Sequence, residues 1–324
     1  MSTRKAHTAL KARKGVLLMA YGTPGNLDEV EPYYRDIRGG QTPPPEAVAD
    51  LTERYRRVGG KTPLLEITRR VADKLEQRLN QGSDDSRWRV YVGMKHWHPY
   101  IADTIDAIAA DGIDELVELP LAPHYSMLSI AGYEKLVKQA LDRLTEPPPT
   151  RFIQSWHANP RFINLIAGRI DNVLAKIDAD PADVEVVFSA HSLPARIVNS
   201  GDPYPDELIE SAAAVARAAG VTSWRFAYQS AGKTPTPWLG PDILEAIETI
   251  AGEGRRHILS VPFGFVCDHL EILYDIDIEA IDRAAEFGIN LSRIDMPNDD
   301  PEFVEVLFDL IISGSGARVS ELNP

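Results

Sequence analysis

The chain of 324 residues alternates short apolar, β-branched segments with amphipathic helical segments along almost its whole length. The apolar segments have the length and composition of buried strands in a parallel sheet. They are VLLMA at 16–20, WRVYVG at 88–93, ELVELPL at 115–121, TRFIQS at 150–155, VEVVFSA at 184–190, WRFAYQ at 224–229 and HILSVPF at 257–263. The helical segments lie at 47–58, 67–80, 100–112, 133–144, 207–220 and 242–254. This alternation predicts right-handed crossovers and an α/β protein built on doubly wound parallel sheets.

Three segments of the first half of the chain recur in the same order in the second half. The matching pairs are GVLLMAYGTP at 15–24 with EVVFSAHSLP at 185–194, SRWRVYVG at 86–93 with TSWRFAYQ at 222–229, and ELPLAPHYS at 118–126 with LSVPFGFVCDH at 259–269. The repeat predicts two similar, Rossmann-like halves with a cleft between them at the carboxyl ends of the strands. Tyr21 and His191 follow corresponding strands, and we expect both to face this cleft.

The repeat also suggests how the chain is divided. We assign residues 15–150 to an N-terminal α/β half and residues 151–311 to a C-terminal α/β half. Residues 1–14, which carry five basic side chains, are predicted to be a disordered leader. Residues 312–324 are assigned to a C-terminal tail.

Composition excludes several classes of function. A net charge of −14 disfavours binding to nucleic acid and to anionic membrane surfaces, because both carry negative charge. The apolar segments are far shorter than the roughly 20 residues that a membrane span requires. One cysteine, Cys267, excludes an internal disulfide and fits a reducing compartment. We therefore expect a cytoplasmic protein without stable membrane insertion.

The segment DHLEILYDIDIE at 268–279 places three carboxylates on one side of a predicted helix. At 100° per residue, Glu271, Asp275 and Glu279 form a slowly drifting stripe with apolar borders. Like charges at this spacing cost an isolated helix a few tenths of a kcal/mol each. His191 is expected at the same edge of the sheet, and a histidine with carboxylates binds a divalent transition metal or shuttles a proton. The stripe is therefore a candidate functional site.

Eight motifs taken together resemble the ferrochelatase family. They are MAYGTP at 19–24, RYRRVGGKTPL at 54–64, GMKH at 93–96, LAPHYS at 121–126, SAHSLP at 189–194, GDPYP at 201–205, TPTPWLGPD at 234–242 and FVCDHLEILYD at 265–275. The resemblance runs in order from about residue 15 to about residue 310. The short form without a carboxyl-terminal extension is most similar to the soluble bacterial enzymes of the coproporphyrin-dependent haem pathway.

This resemblance implies a class II chelatase-like fold with a porphyrin cleft between the halves. It implies insertion of Fe²⁺ into a free-base porphyrin, with release of two protons. The family's catalytic histidine and glutamate correspond to His191 and Glu271. Together with Asp275 and Glu279, these residues are the expected metal-binding set, in which the carboxylates conduct the cation. Which of His191 and Glu271 takes the pyrrole protons stays open.

The resemblance also implies partners for the propionate groups of the porphyrin. Positions that bind substrate in the resembling enzymes correspond to Tyr21, Arg38, Arg54, Tyr55, Thr62 and Tyr133. Thr62 stands where a serine is common. Arginine is a natural bidentate partner for a carboxylate, although Arg38 and Arg54 taken alone would be interpreted as surface charges on solvated helices.

Three other histidines have weaker claims to a role. His96 and His98 share a metal-site spacing, but we interpret them as loop or capping residues. His269 precedes Glu271 by two residues and would lie on a different face of the predicted helix, so it is a weak candidate ligand.

No resident cofactor is expected from the resemblance. Fe²⁺ is a substrate, and a single cysteine cannot hold the iron–sulfur cluster that some family members carry. The expected partners are the porphyrin, Fe²⁺, a transient iron donor and neighbouring haem-pathway enzymes, and a monomer is expected.

Three alternatives to a coproporphyrin III ferrochelatase stay open. The substrate is protoporphyrin IX in the first, and the protein is a sirohydrochlorin cobalt or nickel chelatase in the second. The third alternative is a non-catalytic haem or porphyrin carrier, which has no use for an acidic stripe behind the metal site.

Overall fold

The computed structural model describes residues 12–82, 86–232 and 234–322. In these ranges the chain forms nine strands, seven of which correspond to the predicted ones. The strands are β1 (Ala12–Ala20), β2 (Ser86–Met94), β3 (Glu115–Pro120), β4 (Thr150–Ser155), β5 (Val184–His191), β6 (Trp224–Gln229), β7 (His257–Val261), β8 (Asn290–Arg293) and β9 (Arg318–Ser320). Both β8 and β9 were missed because they are too short to show a hydrophobic pattern.

Helices connect the strands, and all six predicted helices are present. The α-helices are α1 (Val30–Ile37), α2 (Pro45–Arg57), α3 (Leu64–Asn80), α4 (Ile101–Ala110), α5 (Ile130–Leu141), α6 (Pro160–Leu174), α7 (Arg196–Asn199), α8 (Tyr204–Ala218), α9 (Ile243–Gly252), α10 (Leu270–Leu273), α11 (Ile281–Glu286) and α12 (Pro301–Ile312). Leu27–Glu29 and Pro181–Asp183 form 3₁₀ turns, and Asp275–Ala280 is π-helical. Among the described helices, none has the combination of length and apolarity that spanning a membrane requires.

The strands form two sheets with the same topology. The first sheet has the order β2-β1-β3-β4-β9 and the second has the order β6-β5-β7-β8. All pairings are parallel except that of β4 with β9. Three pairs of strands with matching sequences occupy equivalent positions in the two sheets. They are β1 with β5, β2 with β6 and β3 with β7. The α/β fold and its internal repeat are therefore confirmed, and β4 with β8 completes the repeat as a fourth pair.

Sheet membership differs from the predicted division of the chain at three places. Strand β4 pairs with β3 in the first sheet, although it was assigned to the second half. Strand β9, assigned to the tail, returns to pair with β4. Ala12–Lys14 belong to β1 rather than to the leader. Lys14 pairs there with Glu115 of β3 at 2.9 Å. The rest of the predicted leader, residues 1–11, lies outside the described residues. A hydrophobic pattern identifies a strand but not the sheet that it joins, which explains the difference at β4, whereas β9 is too short to show a pattern.

One hydrophobic core joins the two sheets. Its largest cluster contains Leu18 and Val117 from the first sheet and Val186 and Phe188 from the second, together with Trp156. Full burial of each such side chain contributes roughly 1.5–3 kcal/mol relative to exposure. Because this core is continuous between the sheets, it sets how the carboxyl ends of β1 and β5 lie relative to each other.

Glu118 on β3 is a buried carboxyl group in the first half. Its side chain is 0% exposed, and in the described part of the chain neither carboxyl oxygen has a hydrogen-bond partner of good geometry. Burial, with a smaller contribution from the charge of Glu134, raises the pKa of Glu118 to about 8. The group is therefore neutral at pH 5 and becomes charged within the core as the pH passes 8.

Glu118→Gln is expected to stabilise the protein at alkaline pH. The unfolded chain keeps the Glu118 proton only up to an ordinary pKa of 4.5, whereas the folded chain keeps it to about 8. The stability due to this proton is therefore complete below pH 4.5 and is lost as the pH rises to about 8. Urea unfolding should show that the variant exceeds wild type by on the order of 2–5 kcal/mol at pH 8.5 and by much less at pH 5.

The matched control for this prediction is Glu115→Gln. Glu115 lies on the same strand, but its side chain is 59% exposed. We expect this control to change stability by less than about 0.5–1 kcal/mol at either pH. An equal gain for Glu118→Gln at both pH values would contradict the prediction.

Candidate functional site

Tyr21 directly follows β1. Its ring lies 4.6 Å from the His96 ring, measured between centroids, and the side chain is 39% exposed. Burial by the surrounding protein raises the pKa of Tyr21, and the negative charge of Glu271 raises it further. Gly22 turns the chain with a φ of 105°, and a Cβ there would lie 2.9 Å from the Trp97 nitrogen. Tyr21 therefore presents a protonated phenol, within reach of the field of Glu271.

His191 ends β5 with its imidazole oriented by local contacts. Its Nδ1 contacts the carbonyl oxygen of Ser192. A carbonyl only accepts, so Nδ1 carries the hydrogen, and Nε2 of the neutral ring keeps its lone pair. The backbone carbonyl of His191 accepts a hydrogen bond from the Tyr204 hydroxyl at 2.9 Å. His191 therefore has one ring nitrogen available to accept a proton or to bind a cation.

Glu271 lies on α10 and is linked to the His191 strand through Gln229. Gln229 lies opposite His191 in the register of β5 with β6. Its Nε2 donates to the Glu271 carbonyl at 2.8 Å, and its Oε1 accepts from the Ser189 hydroxyl at 2.8 Å. This buried amide connects the two elements that carry the predicted catalytic residues.

The interpretation of His269 as lying on a different helix face was wrong. His269 precedes α10 with extended backbone, φ −155° and ψ −171°. Its Nε2 lies 3.1 Å from a carboxylate oxygen of Glu271. The extended residue brings the ring back beside Glu271, a contact that helical periodicity does not predict.

The acidic stripe is not carried by one continuous α-helix, as was predicted. After α10 the chain widens into a π-helical segment, Asp275–Ala280, in which the Glu279 amide donates to the Tyr274 carbonyl at 2.9 Å. A bond to the fifth preceding residue makes the turn wider than an α-helical turn. Residues four apart therefore drift less around the axis, which keeps Asp275 and Glu279 on one side. Such segments are frequent at functional sites.

Asp275 is the most buried carboxylate of the stripe, at 5% exposed. One oxygen lies 3.4 Å from Nη1 of Arg54, and the other accepts from the Ser230 hydroxyl. Burial raises the pKa of Asp275 to about 7; Glu271 and Glu279 act in the same direction, while Ser230 and Arg54 oppose it. Asp275 therefore exchanges its proton close to neutral pH.

Ser230 was not predicted, although it holds Asp275. It follows β6 and has a φ of 61°, a left-handed conformation that is uncommon outside glycine. Such backbone persists only where the surroundings enforce it, and it is enriched at functional sites. The sequence contains no signal for this conformation, because serine is an ordinary loop residue.

A cavity of about 110 Å³ opens beside this carboxylate. Its lining includes Arg54, Ser230, Asp242, Asp275 and Glu279. His191 and Glu271 are not among its lining residues, so the predicted metal-binding set is divided between the cavity and the strand end. Within the described ranges, no three His, Cys, Asp or Glu side chains are grouped closely enough to hold one metal ion.

Arg54 on α2 reaches this cavity from the first half of the chain. Its guanidinium lies 4.9 Å from the centre of the Tyr274 ring, in addition to its contact with Asp275. Arg57, one turn later, lies 5.4 Å from the same ring but pairs with Asp282 at 3.5 Å. The two arginines therefore share one aromatic platform, but only Arg54 contacts a buried carboxylate, in addition to an exposed one on its own helix at 3.7 Å.

Three of the predicted substrate-binding residues, Tyr55, Thr62 and Tyr133, are buried. The Thr23 hydroxyl joins the first two, at 3.2 Å from the Tyr55 oxygen and 2.8 Å from the Thr62 oxygen. Tyr133 lies elsewhere, 5.0 Å from the Lys95 ammonium. Thr23 was missed as a member of this hydroxyl cluster, although it belongs to the MAYGTP motif.

Arg38 lies at the exposed C-terminal end of α1. Its guanidinium stacks 5.9 Å from the Tyr34 ring centre. In residues 12–82, 86–232 and 234–322 no carboxylate forms an ion pair with it, whereas Arg35 on the same helix pairs with Glu31 at 2.9 Å. Arg38 is thus a cation that an acidic ligand can bind without displacing a protein carboxylate.

Comparison with known proteins identifies the group to which these features belong. A family model described as Ferrochelatase matches residues 13–315. A ferrochelatase of Herpetosiphon aurantiacus is 52% identical over 92% of this chain and 98% of its own length. A coproporphyrin III ferrochelatase of Halalkalibacterium halodurans is 42% identical over 93% of this chain and 97% of its own. Among solved structures, SirB from Bacillus subtilis with Fe³⁺ covers 94% of this chain and 96% of its own with a TM-score of 0.55 at 8% identity. The last likeness concerns the fold alone, which is that of class II chelatases.

Arg54→Ala is expected to destabilise the protein in a pH-dependent way. In this variant Asp275 lacks the guanidinium of Arg54. The loss matters most above pH 7, where Asp275 is ionised, and less below pH 7, where Asp275 is mostly neutral. Urea unfolding should show a loss of about 1–3 kcal/mol at pH 8.5 and a smaller loss at pH 6.

Arg57→Ala is the matched control, because Arg57 contacts the same ring but pairs with an exposed aspartate. It should cost less than about 1 kcal/mol, with little dependence on pH. The same loss for both arginines at both pH values would refute the role of the Arg54–Asp275 pair.

Proposed function

We propose that this chain, which belongs to the ferrochelatase family, inserts Fe²⁺ into coproporphyrin III to give coproheme. Iron insertion into a porphyrin in haem biosynthesis is the activity of the family, and the choice of porphyrin is the proposal. The observation that carries the iron chemistry is the pair of His191 and Glu271, which are linked through Gln229 at the carboxyl end of the second sheet. The coproporphyrin assignment is supported by relatives more than 40% identical over nearly their whole length that are named coproporphyrin III ferrochelatases.

The reaction exchanges two protons for one divalent cation. A free-base porphyrin carries two N–H groups, and both protons leave as Fe²⁺ binds the four nitrogens, so the charge balances without a redox step. His191 contributes an Nε2 lone pair and Glu271 contributes a carboxylate. One of them holds the iron while the other accepts a pyrrole proton. Where Glu271 is the acceptor, the neighbouring His269 can take the proton from it.

Asp275 and Glu279 supply the iron route in this proposal. Both line the cavity described above, and carboxylate oxygens are ligands that a divalent cation accepts as it loses water. Because the pKa of Asp275 is about 7, it gives up its proton to solvent at little cost near neutral pH when a cation arrives. Mutual repulsion along the stripe is relieved when the cation is present.

The propionate groups of the substrate are assigned to the predicted cationic and hydroxyl residues. Arg38 offers a guanidinium without a competing carboxylate in the described residues. Tyr21 and Tyr133 remain protonated donors, since burial raises the pKa of each phenol. Tyr55 and Thr62 offer hydroxyl groups already joined through Thr23. Arg54 participates as well, at the cost of weakening its contact with Asp275.

We also propose that the protein is a cytoplasmic monomer without a resident cofactor. Fe²⁺ enters as a substrate, and one cysteine is too few for a four-thiolate cluster. The iron donor and the enzyme that accepts coproheme bind transiently. Protoporphyrin IX as the substrate is an outcome of the following test, as is a carrier without turnover.

The test is anaerobic Fe²⁺ insertion, followed by the absorbance change of the porphyrin, with coproporphyrin III and protoporphyrin IX assayed in parallel. Coproporphyrin III is expected to be the faster substrate. His191→Ala and Glu271→Gln should each lower kcat by roughly 10²-fold or more, because each removes a proton acceptor or iron ligand. Glu302→Gln, at an exposed position on α12, is the control and should keep wild-type activity.

Each outcome of this assay has a definite meaning. Faster turnover of protoporphyrin IX would contradict the substrate assignment and leave the iron chemistry intact. Full activity of both His191→Ala and Glu271→Gln would contradict the site. Tight porphyrin binding without insertion in the wild type would leave a carrier.

Arg38→Ala is expected to weaken porphyrin binding without changing the chemical step. Loss of one guanidinium–carboxylate contact should raise KM for coproporphyrin III by roughly 10-fold, with kcat nearly unchanged. Arg35→Ala on the same helix is the matched control, because Arg35 is already paired with Glu31. An equal effect of both substitutions on KM would exclude a specific propionate contact at Arg38.

A further inference from the structure

The GDPYP motif at 201–205 covers the end of the connection from α7 and the first two residues of α8, and it has no assigned role in the site described so far. Its two chemically distinctive side chains are buried, with Asp202 at 5% and Tyr204 at 7% exposed. A buried aspartate is expensive unless its oxygens accept hydrogen bonds. The partners of this pair therefore indicate what the motif does.

Asp202 binds groups from both halves of the chain. One carboxylate oxygen accepts from the Ser126 hydroxyl and from the Met127 amide, each at 2.8 Å. The other oxygen accepts from the Tyr204 amide at 3.0 Å. Ser126 and Met127 belong to the loop after β3, in the first half. The carboxylate therefore fastens this loop to the start of α8.

Tyr204 extends the connection to His191. Its hydroxyl donates to the backbone carbonyl of His191 at 2.9 Å. Burial raises the pKa of Tyr204, so the phenol keeps its proton and remains a donor at any working pH. Three hydrogen bonds thus run from the loop after β3, through Asp202 and Tyr204, to the last residue of β5.

The bond to Tyr204 acts where β5 is paired with a strand on one side only. Pairing of β5 with β7 ends at Phe188, beyond which the Gly264 amide donates to the Ser189 carbonyl at 3.2 Å, whereas pairing with β6 continues to His191. The Ser192 amide, which belongs to the same peptide unit as the His191 carbonyl, donates to the Gln229 carbonyl at 2.7 Å. The imidazole Nδ1 in turn contacts the Ser192 carbonyl. The orientation of the ring therefore depends on the two peptide units on either side of Ser192, and Tyr204 anchors the first of them.

We propose that Tyr204, oriented by Asp202, is a positioning residue that aims the His191 imidazole at the reacting centre. This inference rests on the role of His191 in the proposed function. The Tyr204 hydroxyl acts through the His191 carbonyl, to which it donates. Because Asp202 also holds the loop after β3, the same two side chains fix the position of this loop relative to His191.

The test uses Tyr204→Phe in the full-length protein. This substitution removes one hydroxyl and keeps the buried ring, so the fold should be retained. Without the anchor, Nε2 of His191 samples unproductive orientations, which should lower kcat about 10-fold while KM and the fluorescence-determined porphyrin Kd stay within about twofold. A merely structural role would instead lower the melting temperature or the folded fraction and leave kcat per folded molecule unchanged.

Tyr228→Phe is the matched control, because Tyr228 is as deeply buried on the adjacent strand β6. Within the described residues its hydroxyl makes no hydrogen bond with His191, so kcat should match wild type. Asp202→Asn is the second variant. It keeps the Tyr204 hydroxyl but loses the charge that accepts three hydrogen bonds, and we expect a loss in kcat between those of the control and of Tyr204→Phe.

His191→Ala, measured alongside, separates failure of this inference from failure of the proposed function. Full kcat in Tyr204→Phe with a large loss in His191→Ala would overturn the positioning role alone. Full activity in His191→Ala would overturn both. If Tyr204→Phe does not fold, a folded Asp202→Asn with wild-type kcat would overturn the inference. A reduced kcat with unchanged porphyrin affinity in either folded variant supports it.

Discussion

The shared core between two parallel sheets of the same strand order is the constraint on which the rest of the structure depends. Parallel strands bring their carboxyl ends to one edge of a sheet, and the core brings the two edges together. Tyr21 follows β1 and His191 ends β5, the corresponding strands of the two sheets, so residues 170 positions apart in the chain occupy equivalent strand ends. Gln229 and the Asp202–Tyr204 pair then adjust the final orientation within this framework.

Burial raises the pKa of two carboxyl groups, but the surroundings of the two groups differ. Glu118 has no hydrogen-bond partner of good geometry within the described residues, and its cost is contained by keeping the proton. Asp275 has Arg54 and Ser230 as partners and an adjacent cavity, so its proton exchanges near neutral pH. The partners and the open space, rather than burial alone, distinguish Asp275 from Glu118.

The fold was predicted from the sequence more completely than the site. Strand and helix positions follow from hydrophobic periodicity, which is local, and the repeat of three segments predicted two similar halves. Short strands such as β8, the membership of β4 in the first sheet and the π-helical turn after α10 left no local signal. His269 was misjudged because the extended backbone before α10 breaks the periodicity from which its direction was inferred.

The sequence by itself determined the α/β architecture, the family and the residue types of the site, because these depend on periodicity and on motifs of adjacent residues. Only the tertiary structure decided which side chains meet. Arg54 and Asp275 are 221 residues apart, and Ser230 and Asp275 are 45 apart. Their contacts depend on the path of the chain through two sheets, and small rotations of the backbone at Ser230 and at the π-helical turn decide them. No local pattern of residues encodes that path.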